Sequence, residues 1–429
     1  MNKFESERKI AVQPLGGMNK PPADDLPPAL KISFVEFVTL TAALMALTAL
    51  SIDIMLPALP QIGTALGVKS ENDRQLIIVI YMAGFAAGQL IYGPLSDRIG
   101  RKPTLMAGLA IFVAGTLGAL LSGSFDSLLA ARLVQGVGAA SPRVVALAVV
   151  RDLYSGRQMA RVMSFAMMVF IIIPVLAPSL GQGLLHLGDW HLTFYALLAL
   201  GLAVTVWSAL RLPETARAVI DHASQGSLLS SFKAVIMEPQ TVVYGAASGF
   251  MFGCLLSYIA SAQQVFVDVY ALGEYFPIVF GAVVSVMAIA SFVNSRLVGP
   301  LGMRRVSHHA LIGFVLVAIA LSIAVKAGAA NVWVFAGLIA VEFFLFGLIA
   351  PNFNALAMEP QGRNAGMASS VIGGLSTAIG ATAGGVIGRM FDGTPLPLAL
   401  GFAGCSLITL GMIYGLEGRA AFGGRNRPR

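Results

Sequence analysis

The 429-residue sequence predicts an all-α integral membrane protein, with twelve transmembrane helices in two pseudo-symmetric six-helix bundles. Three observations predict it. Hydrophobic residues make up 57% of the chain and charged residues 11%, with a mean hydropathy of +0.80; soluble domains carry about 25% charged residues. Apolar runs of the ~20 residues needed to cross a bilayer recur twelve times. Lys and Arg collect in alternate connections between those runs, the asymmetry that orients helical membrane proteins. The composition excludes ordinary soluble enzymes, nucleic-acid-binding domains and disordered scaffolds. The runs exclude a β-barrel, whose strands alternate apolar and polar over about ten residues.

Residues 1–32 are polar, contain Pro21-Pro22 and Pro27-Pro28, and lack an apolar stretch of signal type. They are expected to form a disordered cytoplasmic tail. The expected spans of the first half are Ser33–Leu59, Arg74–Leu95, Pro103–Ser122, Leu128–Val150, Gln158–Leu185 and Trp190–Arg211. Those of the second half are Thr241–Val267, Phe276–Val298, His308–Lys326, Val332–Leu356, Ala365–Met390 and Leu396–Leu416. The longest connection, residues 212–240, carries charge, Pro213, Ser224, Gly226, Ser227 and Pro239. It reads as a cytoplasmic linker between an N-terminal bundle (33–211) and a C-terminal bundle (241–416), and a basic tail (417–429) follows.

With an even number of spans, almost all Lys and Arg fall on the side of the two termini. The exceptions are Lys69, Arg74, Lys326 and Arg389 on the other side, and Arg132 and Arg143 within a span. Both termini are therefore expected in the cytoplasm. A weak repeat supports two related halves. Gly100-Arg101-Lys102 is echoed by Gly302-Met303-Arg304-Arg305, and Gly181 and Gly183 by Gly384 and Gly385. Paired six-helix halves around a central cavity are a recurrent transporter plan.

The strongest local signal is Gly93-Pro94-Leu95-Ser96-Asp97-Arg98-Ile99-Gly100-Arg101-Lys102. Gly88 and Gly93 allow close approach of helices. Asp97 with Arg98, Arg101 and Lys102 can form charge-assisted bonds that break when helices move. A loop that merely sets topology does not require this order of Gly, Pro, Asp, Arg and Gly.

The run resembles the cytoplasmic loop motif of the major facilitator superfamily. More specifically, it is similar to the twelve-span drug:proton antiporters of the bicyclomycin and chloramphenicol resistance type. The resemblance extends from Ile32 to Leu416. It includes Ser51-Ile52-Asp53-Ile54-Met55-Leu56-Pro57-Ala58-Leu59-Pro60 in span 1 and Arg132-Leu133-Val134-Gln135-Gly136-Val137-Gly138 in span 4. It also includes Ala177-Pro178-Ser179-Leu180-Gly181 in span 5 and Leu212-Pro213-Glu214-Thr215 at the end of the first half.

The resemblance implies the major facilitator fold in a bacterial inner (plasma) membrane. It also implies alternating access and export of a small apolar or amphipathic, antibiotic-like compound in exchange for protons. It casts Asp53 as proton carrier, with Arg132 modulating its charge. Gly93, Asp97, Arg98, Gly100, Arg101 and Lys102 form the implied gating loop, and Pro178 and Gly181 belong to the antiporter motif. The sequence also departs from the family pattern. Ala177 and Gln182 stand where the antiporter motif often has glycine, implying looser packing. No acidic residue follows span 8, so a gate built on an Asp–Arg pair is expected in the first half only. Arg143 receives no role.

Depth can be reckoned independently from the helical rise of ~1.5 Å per residue. Asp53 falls roughly 9 Å before the end of the expected first span, and Arg132 about 6 Å into the fourth. An intramembrane acid beside a mobile cation can gain and lose a proton. The alternatives are, for Asp53, a structural ion pair or a helix-end residue facing the outer vestibule and, for Arg132, a side chain snorkelling to the interface. Glu342, roughly 15 Å into span 10, could neutralise a cationic substrate, take a coupling proton, or sit in a buried pair or at a lipid-thinned position. Tyr258, Gln263, Gln264, Asn352 and Asn354 could line a cavity, though such polar groups more often bond neighbouring helices.

No Gly-x-x-x-x-Gly-Lys-Ser/Thr loop occurs, so this route to ATP hydrolysis is excluded. Cys254 and Cys405 sit in apolar runs, and the five histidines lack metal-ligand spacing. No cofactor, metal or nucleic acid is expected. The expected partners are the small molecule, protons and the lipid bilayer, and the default assembly is a monomer. A proton-coupled importer of a nutrient or metabolite would use the same fold. A non-transporting receptor or a membrane enzyme would need sensor domains or clustered catalytic residues, and neither is present.

Overall fold

The described residues form a succession of helices, most of them joined by short turns. The computed structural model describes residues 33–154, 156–215 and 228–418. Among these no strand occurs. The expected N-terminal tail, the middle of the linker and most of the basic C-terminal tail, with their Lys and Arg residues, lie outside the described residues.

The first bundle comprises α1 (Phe34–Asp53), which resumes after a break as α2 (Leu59–Ala65), then α3 (Leu76–Ile99), α4 (Arg101–Leu120), α5 (Phe125–Leu153), α6 (Gly156–Leu187) and α7 (His191–Arg211). Part of the expected linker forms a short helix, α8 (Leu228–Ile236). The second bundle comprises α9 (Pro239–Gln263), α10 (Phe276–Leu301), α11 (Met303–Lys326), α12 (Val332–Met358), α13 (Ala365–Arg389) and α14 (Leu396–Glu417). Among the described residues, eleven helical segments are long and apolar enough to cross a bilayer. α6 takes the place of the fifth expected span, running 32 residues with Ile172–Leu187 as its described apolar stretch.

Helix ends follow local chemistry. The Ser33 hydroxyl accepts from the Glu36 amide to start α1, and Ser124 and Ser127 form a capping box on α5. Asn331 accepts from the amides of Trp333 and Val334 to start α12. Within each bundle, small residues let backbones touch, because lipid supplies no hydrophobic drive between helices. A Cβ on Gly136 would lie 2.0 Å from the Tyr81 carbonyl oxygen, which puts α5 against α3 at backbone distance. Large apolar side chains such as Leu210, Phe292, Leu316 and Trp333 are exposed on the outer faces. Such apolar faces suit lipid rather than water. Across the bundles, α3 packs on α13 and α6 on α10.

The repeat seen in the sequence becomes a matched set of ion pairs. Arg101 bonds Asp97 and, at 2.8 Å, Asp152, while Glu214 accepts from the Arg101 and Lys102 amides at the start of α4. In the second half Arg304 pairs with Glu359 at 3.1 Å and with Glu417 at 3.0 Å. Arginine–acid pairing at this end is thus not confined to the first half. Its acids come from the ends of α12 and α14, far along the chain from the turn after α10. Both turns pivot on a glycine with positive φ, Gly100 at 105° and Gly302 at 83°. Gly100→Ala should lower stability by about 1–3 kcal/mol, because a side chain is strained there and would also crowd the Glu214 carboxylate. A falling thermal midpoint of the detergent-purified protein would register it.

Candidate functional site

Asp53 is the last residue of α1. Pro57 has no N–H to bond the Asp53 carbonyl, so the helix breaks at Ile54 and Met55 and passes through a tight turn, Leu56–Ala58, into α2. The first span therefore runs on to Ala65 instead of ending at Leu59, which places Asp53 deeper than the sequence reckoning. Gly181 of α6 holds the break from outside: a Cβ there would lie 1.9 Å from the Ile54 carbonyl oxygen. Pro178 is buried one turn earlier. Ala177 is fully buried and Gly183 has open space around it, so packing in this motif concentrates at Gly181.

The Asp53 carboxyl is 2% exposed, and its Oδ1 has no hydrogen-bond partner among the described residues. Arg132, on α5, is fully buried and does not snorkel. Its Nε donates to the Ile77 carbonyl (3.2 Å), Nη1 to Gln135 Oε1 (2.5 Å) and Nη2 to the Ser51 carbonyl (3.1 Å). The guanidinium carbon sits 4.3 Å from the centre of the Tyr81 ring. Gln135 in turn donates to Thr116 on α4. The structure thus brings Arg132 to the last turn of α1, two residues from Asp53, without an ion pair between them.

Between the bundles lies a cavity of about 380 Å³, within the range of small-molecule pockets. It reaches from Gln89, whose Nε2 donates to Thr377 Oγ1 across the bundles (2.8 Å), to Gly93, Asp97 and Arg101 at the end that carries the start of α1 and the finish of α14. Arg98 and Lys102 do not line it; the Lys102 ammonium donates to the Ala209 carbonyl. Gly93 marks the closest approach there, since a Cβ would meet Ser370 of α13.

The opposite end is latched. Asn72 donates to the Arg389 and Phe391 carbonyls, Gln264 donates to Asn72, and Gln75 donates to Gln264. Arg389 pairs with Asp73 at 2.9 Å.

Several residues singled out in the sequence sit elsewhere. Glu342 is fully buried, its two carboxyl oxygens having no partner among the described residues, and Tyr258 stacks on Phe280 with Phe343 edge-on. Both belong to the interior of the second bundle and do not line the cavity. Asn352 bonds Asn294 and the Leu348 carbonyl, and Asn354 lines the cavity in its place. Gln263 does not line it, and its neighbour Gln264 belongs to the latch. Sequence reasoning did not assign Arg143, Arg151 and Ser248, which do line the cavity. Only the second arginine of span 4 had stood out as unexplained.

Two helical bundles joined at one end, a cavity between them reaching toward the other, and an unpaired acid in the core define a multi-pass membrane transporter of small molecules rather than an enzyme. The chain belongs to the Major Facilitator Superfamily, whose family profile matches residues 41–385. It is 30% identical to the bicyclomycin resistance protein homolog of Haemophilus influenzae, over 91% of this chain and 98% of that one. It is also 30% identical to multidrug resistance protein D of Escherichia coli, over 80% of this chain and 85% of that one. Its fold is similar to that of the E. coli xylose transporter XylE in a partially occluded inward-open conformation. That likeness has a TM-score of 0.69 at 10% identity, covering 89% of this chain and 97% of the other.

Proposed function

We propose that the protein is a proton-coupled exporter of small amphipathic compounds of the drug type. It works as a monomer in a bacterial inner membrane, with both termini cytoplasmic. The resistance proteins to which it is similar over most of its length support the substrate class. The Lys and Arg bias supports the orientation. On this reading the first bundle is residues 33–211, the second 241–416, and 212–240 is the cytoplasmic linker. The latched end then faces outward and the cavity opens toward the cytoplasm.

The observation that carries the coupling is Asp53: an acid in the core of the first bundle, at a helix break, with no counter-charge bonded to it among the described residues. A carboxylate so placed is costly unless it is paired. Arg132 is fully engaged without it. Proton loss from Asp53 leaves a charge that a swing of Arg132 away from the Ser51 carbonyl can offset. That swing pulls on the last turn of α1, which Gly181 ties to α6. Because α6 packs on α10 across the bundles, a proton event in the first bundle is transmitted to the interface on which rocking depends. Opening of the latch at Asn72, Asp73, Gln264 and Arg389 completes the cycle. At the other end, Gly93, Asp97, Arg101 and Gly100 regulate closure of α3 on α13.

The test is accumulation of chloramphenicol in cells expressing the protein. Expression should lower accumulation, and a protonophore should restore it to the level of control cells. Accumulation raised by expression would point to an importer, and an unchanged level under the protonophore would overturn the proton coupling.

A further inference from the structure

A hydrogen bond in the cavity wall joins the two bundles. Gln89 lies midway along α3 and Thr377 midway along α13, and Gln89 Nε2 donates to Thr377 Oγ1 at 2.8 Å. Both side chains line the cavity, and they are only 6% and 4% exposed. A carboxamide carries an acceptor as well as donors. The Gln89 Oε1 lies over the bare backbone of Gly373, where a Cβ would come within 2.5 Å of it. That oxygen accepts no hydrogen bond among the described residues.

Ser248 of α9 supplies the complementary group. Its Oγ is shielded from water and has no hydrogen-bond partner among the described residues, not even the carbonyl one turn back that a helical serine commonly takes. The residue lines the same cavity at the same depth: Gly249, next in the chain, packs against Ser376, the neighbour of Thr377. An acceptor from the first bundle and a hydroxyl donor from the second thus stand with unused bonding capacity at mid-membrane. A polar group left unpaired in a low-dielectric interior is costly, and a ligand that supplies the missing partner recovers that cost. A carboxamide has the matching pair, an N–H for Oε1 and a C=O for the serine hydroxyl. Phe252, one turn along α9 from Ser248, and Phe346 of α12 add apolar wall to the same space.

We propose that Gln89 and Ser248 form a substrate subsite for a carboxamide, or for another uncharged group that joins a donor to an acceptor. Gln89 Oε1 accepts the ligand's N–H, Ser248 Oγ donates to its carbonyl, and Thr377 holds the Gln89 side chain in position. Phe252 and Phe346 cover the apolar body. Because the two polar contacts come from different bundles, a ligand held by both ties the bundles together at mid-membrane. The subsite deepens the exporter reading and rests on it only for the direction of transport.

The experiment uses three probes with one aromatic body: 2-naphthamide (donor and acceptor), 2-acetylnaphthalene (acceptor alone) and 2-ethylnaphthalene (neither). Binding to the full-length protein in lipid nanodiscs is measured at equilibrium with empty nanodiscs subtracted, and flux in proteoliposomes with an imposed pH gradient. The amide should bind about tenfold or more tighter than the ethyl compound, the scale of two net hydrogen bonds, with the ketone between them. Gln89→Leu should bring the amide down to the ketone's affinity and leave the ketone and the ethyl compound within about twofold of the parent. Ser248→Ala should weaken the amide and the ketone alike, by about threefold or more, and leave the ethyl compound unchanged. That variant removes a hydroxyl that makes no bond, so it keeps the fold and decides the matter even where Gln89→Leu does not fold. Equal affinity for the three probes, no binding of any of them, or a folded variant that shifts all three together would overturn the inference. A preference that depends on Gln89 and Ser248 without gradient-driven flux leaves the subsite standing and removes the exporter reading. Gradient-driven flux indifferent to both side chains does the reverse.

Discussion

Asp53→Asn should reduce proton-driven transport to the passive leak while leaving the protein inserted and able to bind substrate. The substitution keeps the shape of the side chain and removes its ability to carry a proton. Asp53 has no ion pair to lose among the described residues, so no salt bridge described there is forfeited. The neutral amide adds a buried donor, a disturbance of no more than about 1–3 kcal/mol. Substrate affinity should change by less than about threefold, or ~0.7 kcal/mol, because Asp53 does not line the cavity.

The decisive measurement separates two fluxes in proteoliposomes. Substrate efflux driven by a pH gradient should vanish, whereas exchange of labelled for unlabelled substrate, which needs no net proton movement, should persist. Asp53→Glu keeps the titrating group but lengthens it into a site closed by Gly181 and the α1 break. It should retain coupling at a reduced rate. Full gradient-driven transport by the asparagine variant would sink the assignment.

How much of this was legible beforehand depended on what kind of information each feature needs. Asp53 stood out because a charge inside an apolar run is rare and its proline-rich flank is local. The Gly93–Lys102 run and the glycines at both inter-helix turns were likewise local. What failed to show was anything requiring knowledge of helix rotation or of distant partners. Glu342 and Tyr258 are at transmembrane depth, but α12 and α9 are apolar on every side, so no periodic stripe tells which face meets the cavity. Both turn into the second bundle. Asn352 and Asn354, only two residues apart, divide between a helix–helix bond and the cavity for the same reason. The partners of Arg304 escaped notice because Glu359 and Glu417 are brought to it by the fold alone. Asn72 and Asp73 carried no signal in the sequence, because only the fold delivers Arg389 of α13 to Asp73.

Arg132→Lys should produce a folded protein with badly impaired coupling, and Arg132→Ala a protein that is scarcely made. The reason lies in geometry rather than charge alone. The guanidinium fork reaches three acceptors on three elements at once: the Ile77 carbonyl on α3, the Ser51 carbonyl on α1 and Gln135 on its own helix. A lysine ammonium, a single point on a flexible stem, cannot span them. The lost charge-assisted bonds should destabilise the lysine variant by about 2–4 kcal/mol. Alanine would take away all three charge-assisted bonds and leave a void, costing roughly 3–5 kcal/mol or more, read as loss of folded protein on size exclusion. For the lysine variant, gradient-driven efflux should fall at least tenfold, a change of ~1.4 kcal/mol in the relevant equilibrium. Substrate binding in the cavity should hold, because Arg132 does not line it. The control is Gln135→Leu, which removes one acceptor and leaves the arginine free to reach α1. If Arg132 serves only packing, that variant and Arg132→Lys should lose stability and transport in proportion. If it answers the charge on Asp53, the lysine variant alone should change how efflux depends on pH.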